Sequence, residues 1–314
     1  MPLMAASSAV SRHPVRVFEA VVAEVRDLSP HFRRITLTGP ALEEFGVPGP
    51  TLDLRIKMLL PNPGCPPILP GTARGVLDAG WYQDWLKQDQ PGRGHIRSYT
   101  VRSLRKLSGG AELDIDFVLH DCLESRPGPG SAWARNAAPG RPAWLVGPDA
   151  TAITAATRLP EAGINWNPGS STHVLLAGDE TAVPAVGAIL ESLPPSITGH
   201  AFLEVPDAAD TFPLAAPDGV HVTWLDRGTV ARGLLLEREI VASAGRSAAE
   251  PGYAWVGAEA GMVRKLRRCL AGLGFDSRTS EFRGYWSLGK AGSGVNGVPM
   301  PTAHGPRPVP PPRR

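Results

Sequence analysis

The sequence predicts an N-terminal antiparallel β-barrel followed by a C-terminal doubly wound parallel sheet. Three observations lead there. Short alternating segments bounded by Gly and Pro fill residues 15–148 with few helical stretches between them, the mark of a small barrel. Beyond residue 157 apolar strands alternate with helical stretches, the pattern of a parallel sheet with crossover helices. The 314 residues also exceed one average core, on a prior of roughly 150 residues per domain.

Residues 1–14 are small and polar without periodicity, and residues 290–314 are rich in Gly, Pro and Arg. Neither stretch carries enough apolar surface to offset the entropy of ordering, so both are expected to be disordered. The barrel is assigned to 15–150 and the α/β domain to 151–289. Barrel strands are expected at 15–26, 32–39, 52–60, 98–104, 113–120 and 142–148, where β-branched or alternating residues lie between turn signals. Residues 61–96 form a long Pro- and Gly-rich excursion, which in a compact domain is functional or disordered. In the second half, strands are expected at 172–178, 200–205, 220–225, 253–258 and 280–286. Helices are expected at 181–193, near 231–243 and at 260–272, the last one basic and amphipathic. Ligands of such a sheet sit beyond the carboxyl ends of its strands, here facing a cleft against the barrel.

Composition narrows the function. Hydrophobic residues make up 42% and charged residues 20%, as in an ordinary globular protein, and the formal net charge is only +2. Such a balance gives no general attraction to nucleic acid or anionic membrane. Cys65, Cys122 and Cys269 are odd in number and far apart, which argues against a disulfide framework, a zinc site or an iron–sulfur cluster and for a reducing compartment. The longest apolar run, 182–190, is far short of the ~20 residues that span a bilayer, and the N-terminus lacks a secretory signal. A cytoplasmic protein, monomeric for want of an apolar seam, is the expectation.

The stretch R-S-Y-T-V-R (97–102) carries the chemistry. On a strand, Arg97, Tyr99 and Val101 share one face, and Ser98, Thr100 and Arg102 the other. A barrel strand with surface arginines would read the same way. A rim strand entered through Gly and Pro, however, offers arginine for phosphate, a flat tyrosine and a threonine hydroxyl to one elongated ligand, a set that suits a flavin nucleotide. Downstream, G-P-G-S-A-W-A (128–134) opens a short helix; Gly128 and Gly130 permit close backbone approach, and the Ser131, Ala132 and Trp133 amides are candidate anion donors. G-D-E-T-A (178–182) follows a buried strand but is not a Gly-rich phosphate loop, and by itself it reads as a cap with Asp179 or Thr181 as N-cap.

R-x-Y-T-x-R, H-D…G-P-G-S-A-W-A (120–134), G-D-E-T-A-V-P-A (178–185), A-W-V-G-A-E (254–259) and G-Y-W (284–286), in this order, resemble the siderophore-interacting protein family, the flavin-dependent ferric-siderophore reductases. The resemblance covers roughly residues 15–290. It implies that Arg97 pairs with the FAD diphosphate, Tyr99 packs on the isoalloxazine, Thr100 bonds near N5, and His120 lies at the flavin's edge. Arg102 reaches the flavin or its phosphate, or else makes a structural salt bridge. The resemblance also makes G-D-E-T-A the start of an NAD(P)H-binding domain, with the nicotinamide near Gly178, Thr181 and Ala182. Trp286 either shields the flavin or simply packs near the last strand.

Glu204 suits a ribose diol and Arg227 suits a 2′-phosphate, so NADH and NADPH stay open. Arg264, Lys265 and Arg268, with Lys57 and Lys290, are candidates for a basic rim that attracts anionic ferric siderophores; a solvated face explains the helix equally well. The ending G-Y-W-S-L-G-K is less basic than the family's Y-W-R-x-G, which bears on Lys290.

The implied reaction passes electrons from NAD(P)H through FAD to a ferric siderophore, with ferredoxin left open as a partner. Hard oxygen chelators hold ferric iron far better than ferrous iron, so reduction releases it. No residue need act as acid or base. The alternatives are a general NAD(P)H:flavin or ferredoxin-type reductase and a non-catalytic iron-chelate binding protein.

Overall fold

The computed structural model describes residues 14–71, 75–78, 80–120, 127–244 and 252–288. Lys290, Cys122 and the two expected tails beyond these bounds lie outside the described residues.

The first half is a seven-stranded antiparallel half-barrel. Its strands are β1 (Val15–Asp27), β2 (Phe32–Gly39), β3 (Arg55–Leu60), β4 (His95–Thr100), β5 (Ser103–Leu107), β6 (Gly110–Val118) and β7 (Pro142–Pro148), in the order β4-β3-β7-β1-β2-β6-β5. Alternation places Ile35 and Leu37 of β2 and Leu113, Ile115 and Phe117 of β6 in one core with Phe18, Phe45, Ile56 and Met58. The opposite face of β6 carries Asp114 and Asp116, which bind Arg105 and Arg34.

The expected single strand 98–104 is two strands. At the corner between them the Val101 amide donates to Leu54 and the Arg102 amide to Asp114, so successive amides serve opposite edges of the sheet. The excursion 61–96 contains two short helices, α1 (Trp81–Leu86) and α2 (Gln90–Arg93). Trp81 and Trp85 of α1 bury themselves on Val17, Leu59 and Ile96 on the outer face of the sheet.

Two more short helices follow, α3 (Pro129–Arg135) and α4 (Leu159–Ala162), and then the parallel sheet. Strands β8 (His173–Asp179), β9 (Thr198–Val205), β10 (Val220–Asp226), β11 (Tyr253–Glu259) and β12 (Glu281–Trp286) lie in the order β10-β9-β8-β11-β12, all parallel. The chain leaves β8 in one direction and returns to its other side at β11, so the switch point lies between those two strands. Helix α5 (Val183–Ser192) is buried from Val183 to Leu190, between the sheet and the half-barrel. Helices α6 (Leu234–Ala244) and α7 (Ala260–Gly272) cover the other face through Leu236, Ile240, Leu266 and Leu270.

One core runs through both halves. Asp53, just before β3, accepts the amides of Asn165 and Trp166 at 3.0 Å each on Oδ1 and the Trp255 indole at 3.0 Å on Oδ2. Asp210 receives Ser29, the His31 amide and the His31 ring at 2.7–3.0 Å. Among the described residues no helix is long and apolar enough to cross a membrane.

Candidate functional site

The β3–β4 ladder sets Arg55 opposite Thr100, Ile56 opposite Tyr99, Lys57 opposite Ser98 and Met58 opposite Arg97. Arg97 and Tyr99 therefore share a face, as period two requires. The Tyr99 ring lies 4.3 Å from Phe117, which in turn lies 5.3 Å from Trp133 of α3. The Tyr99 hydroxyl abuts Gly130, where a Cβ would stand 2.0 Å from the oxygen. Gly130 is thus matched to the tyrosine. Burial pushes the phenol's pKa up, which keeps it a neutral donor.

Arg97 donates to the Ile96 carbonyl at 2.7 Å, and burial lowers its pKa. From the opposite face Lys57 donates to Ser98 at 3.0 Å and lies 5.6 Å over the Tyr82 ring. Burial, and then the charge of Arg55, bring its ammonium down to about 8. Arg55 is itself depressed by burial and by Arg283. It was not singled out in the sequence, where L-R-I-K-M reads as a core strand. Among the described residues no carboxylate reaches ion-pairing distance of Arg55, Lys57 or Arg97. Asp53 and Glu281 are felt at Arg55 only from beyond that distance; Asp53 has both oxygens occupied by Asn165, Trp166 and Trp255, and Glu281 pairs with Arg283. This edge ladder is therefore a run of cations without counter-ions, beside Thr100, whose hydroxyl bonds Tyr285 of β12.

Arg102 takes the salt-bridge alternative. Its guanidinium forks onto Glu191 of α5, one arm at 2.8 Å, and ties the barrel to the second domain. The sequence could not show this, since the partner lies 89 residues away.

At the end of β6 the Ser131 hydroxyl donates to the Val118 carbonyl at 3.2 Å and accepts the His120 amide at 3.4 Å. Of the three amides expected to bind an anion, Ala132's already donates to Gly128 at 2.9 Å, and Trp133's falls inside the helical ladder. The first-turn amides left are those of Gly130 and Ser131. His120 has its Nδ1 4.0 Å from Glu180 and its ring 6.3 Å from Trp286. Burial lowers its pKa and favours the neutral ring.

Beyond the parallel strands, Asp179 is the cap, accepting the Thr181 amide at 3.0 Å. The nicotinamide contacts expected here are only partly open. Gly178 and Ala182 are both buried and wall each other off, since a Cβ on Gly178 would lie 2.3 Å from Ala182; Thr181 alone is half-buried. Glu204 and Arg227 are likewise not placed to read a ribose or a 2′-phosphate. Glu204 is fully buried and accepts the Gly233 amide at 2.9 Å, while Arg227 lies 3.1 Å from Glu180 and 3.4 Å from Glu204. Together with Arg232 on Glu180 these charges balance, as buried charges must. Burial opposes the charge of Glu180, yet Arg232 and Arg227 hold its carboxyl below the usual range.

Arg232, missed in the sequence, is the partly exposed member of this cluster. It reaches Glu180 at 2.6 Å and stacks 5.2 Å over the Trp286 ring. It also lines a cavity of about 380 Å³ with Gly233, Glu259, Met262, Lys265 and Leu288. Of the basic residues of α7, Lys265 faces this cavity and pairs with Glu237 at 2.5 Å, while Arg264 and Arg268 are exposed on the helix.

Residues 21–152 match the siderophore-interacting FAD-binding domain, and residues 171–289 match the siderophore-interacting protein model. An uncharacterized protein of Mycobacterium tuberculosis is 33% identical over 215 residues, 68% of this chain; the match spans 66% of that protein's length. The ferric vibriobactin reductase ViuB of Vibrio cholerae is 34% identical over 221 residues, 69% of this chain and 70% of its own. An NADPH-dependent ferric-chelate reductase of Escherichia coli is 27% identical over 88% of this chain and 94% of its own. The crystal structure of a siderophore utilization protein from T. fusca matches with a TM-score of 0.70 at 30% identity, over 91% of this chain and 97% of its own.

Proposed function

Because the chain belongs to the siderophore-interacting protein family, we propose that it is an FAD-carrying, NADPH-dependent reductase of ferric siderophores. The observation that carries this is the β3–β4 edge, where Arg55, Lys57 and Arg97 lie half-buried with no carboxylate among the described residues at ion-pairing distance. Arg97 on one face of this edge, and Arg55 with Lys57 on the other, each suit a ligand that brings its own negative charge, as a flavin diphosphate and an anionic ferric chelate do.

The residues fit FAD. Arg97 would hold the diphosphate, helped by the amides of Gly130 and Ser131, while Thr100 supplies a hydroxyl at the domain junction and Trp286 a flat wall. Bound FAD supplies an acceptor for a hydride pair that returns electrons singly to iron. Lys57 and Arg55 would draw the chelate to the same junction. NADPH as the donor rests on the likeness to the NADPH-dependent ferric-chelate reductase of Escherichia coli. On this reading residues 15–150 carry the flavin and 151–289 the nucleotide, and the chain works as a monomer in the cytoplasm.

An anaerobic absorbance titration tests the whole reading. The purified protein should be yellow, bleach with NADPH, and regain colour with a ferric siderophore. Bleaching followed by recovery with quinone but with no ferric chelate would instead support a general flavin reductase. Reduced ferredoxin in place of NADPH tests the second electron source.

Lys57 gives a pH signature. Its pKa is depressed, so the cation is lost as pH rises through about 8, not as it falls. The KM for an anionic ferric chelate should therefore climb between neutral and alkaline pH, by about tenfold if one charge-assisted contact is lost. Lys57→Arg, which keeps its charge, should flatten that climb in initial-rate measurements.

A further inference from the structure

Asp179 does more than its capping role requires. Its Oδ1 accepts the Thr181 amide at 3.0 Å and the Thr181 hydroxyl at 2.5 Å, which completes the cap. Its Oδ2 points the other way and accepts the Glu259 amide at 2.8 Å and the Trp286 indole Nε1–H at 2.9 Å. One fully buried carboxylate thereby ties the ends of β8, β11 and β12 together at the switch point.

Trp286 is held by that bond at its edge, while Arg232 covers one face at 5.2 Å and His120 stands 6.3 Å away. A serine or asparagine would cap as well, so capping alone does not account for the second oxygen. The carboxylate is also kept beside the buried Glu180, and burial together with that neighbour raises its pKa to about 6. Four donors aimed at it are the compensation.

We propose that Asp179 is a positioning residue, which fixes the plane of the Trp286 indole through its Oδ2 and so sets the approach of the nicotinamide donor to the flavin. This rests on the reductase reading given above. A tryptophan on the last strand has an exposed end and many rotamers. The hydrogen bond from a charged acceptor selects one of them, and the Arg232 guanidinium then stacks on a plane already set.

The test has two readouts. In protein carrying isotope-labelled tryptophan, the Trp286 Nε1–H resonance is assigned by its loss in Trp286→Phe. It should move in Asp179→Asn and lose exchange protection. The second readout is the anaerobic rate of flavin bleaching by NADPH in Asp179→Asn, Trp286→Phe and the double variant. Each single variant should slow bleaching by about tenfold, as expected for one charge-assisted bond, and the double should be no slower than the slower single. Bleaching rates are compared per bound FAD, because Trp286 also walls the flavin site.

An unmoved Trp286 resonance in Asp179→Asn overturns the contact. Losses that multiply in the double variant, or a Trp286→Phe protein that bleaches at the normal rate, overturn the positioning role. Trp286→Phe leaves the other three bonds of Asp179 in place, so that arm stands even where Asp179→Asn fails to fold. A wild-type flavin that NADPH never bleaches fails the reductase reading, while the resonance still decides whether Asp179 holds the indole.

Discussion

Arg227→Met should destabilise the protein by about 3–5 kcal/mol, the usual result of removing one partner from a buried ion cluster. Arg227 keeps only 7% of its side chain exposed, between Glu180 and Glu204, whose side chains are fully buried. Methionine preserves much of the stem's volume, so the loss isolates the charge. Glu180 keeps Arg232 at 2.6 Å and Glu204 keeps the Gly233 amide at 2.9 Å, which places the effect toward the lower end. Urea unfolding at neutral pH measures it. Adding Glu204→Gln should restore part of the stability, because the orphaned charge is then gone. An unchanged midpoint in Arg227→Met would mean that the cluster is not closed as described.

Arg97→Ala should give a folded but nearly colourless protein. Losing a charge-assisted contact to a diphosphate costs about 2–5 kcal/mol of binding, enough to lower FAD affinity on the order of 100-fold. The ratio of flavin to protein absorbance after purification reads this directly, and circular dichroism checks the fold. Arg102→Ala is the control from the same motif. Its guanidinium serves Glu191, so flavin content should stay near wild type. Full flavin occupancy in Arg97→Ala would move the diphosphate away from β4.

The contrast between these two arginines shows what the sequence displays and what it hides. Strand alternation is local, so Phe32–Gly39 was legible as a strand, as was the strand expected at 113–120 that runs Gly110–Val118, and the change of pattern past residue 157 announced the parallel sheet. Asp179 was legible as a cap for the same reason. The corner at Val101 was not, because it depends on amides bonding Leu54 and Asp114 on separate strands. Glu204 at a strand's end and Arg227 in a turn could be read locally either as ligand contacts or as structural charges, and the fold pairs them with each other. Only the fold reveals that Glu180, 24 and 47 positions away respectively, joins them in one buried cluster whose two carboxylates are balanced by Arg227 and the partly exposed Arg232. Arg55 was hidden by apolar neighbours. Its signal was an arginine two places from a lysine on one strand face, with no acid alternating between them.

The Asp53 carboxylate, seated before β3 yet satisfied by Asn165, Trp166 and Trp255, has a consequence for modular exchange. The two halves look separable in topology, but grafting the nucleotide half of a relative onto this barrel would orphan Asp53 unless the incoming half brought an indole donor and the same pair of amides. What is inherited, and what recombination would have to carry across whole, is the seam.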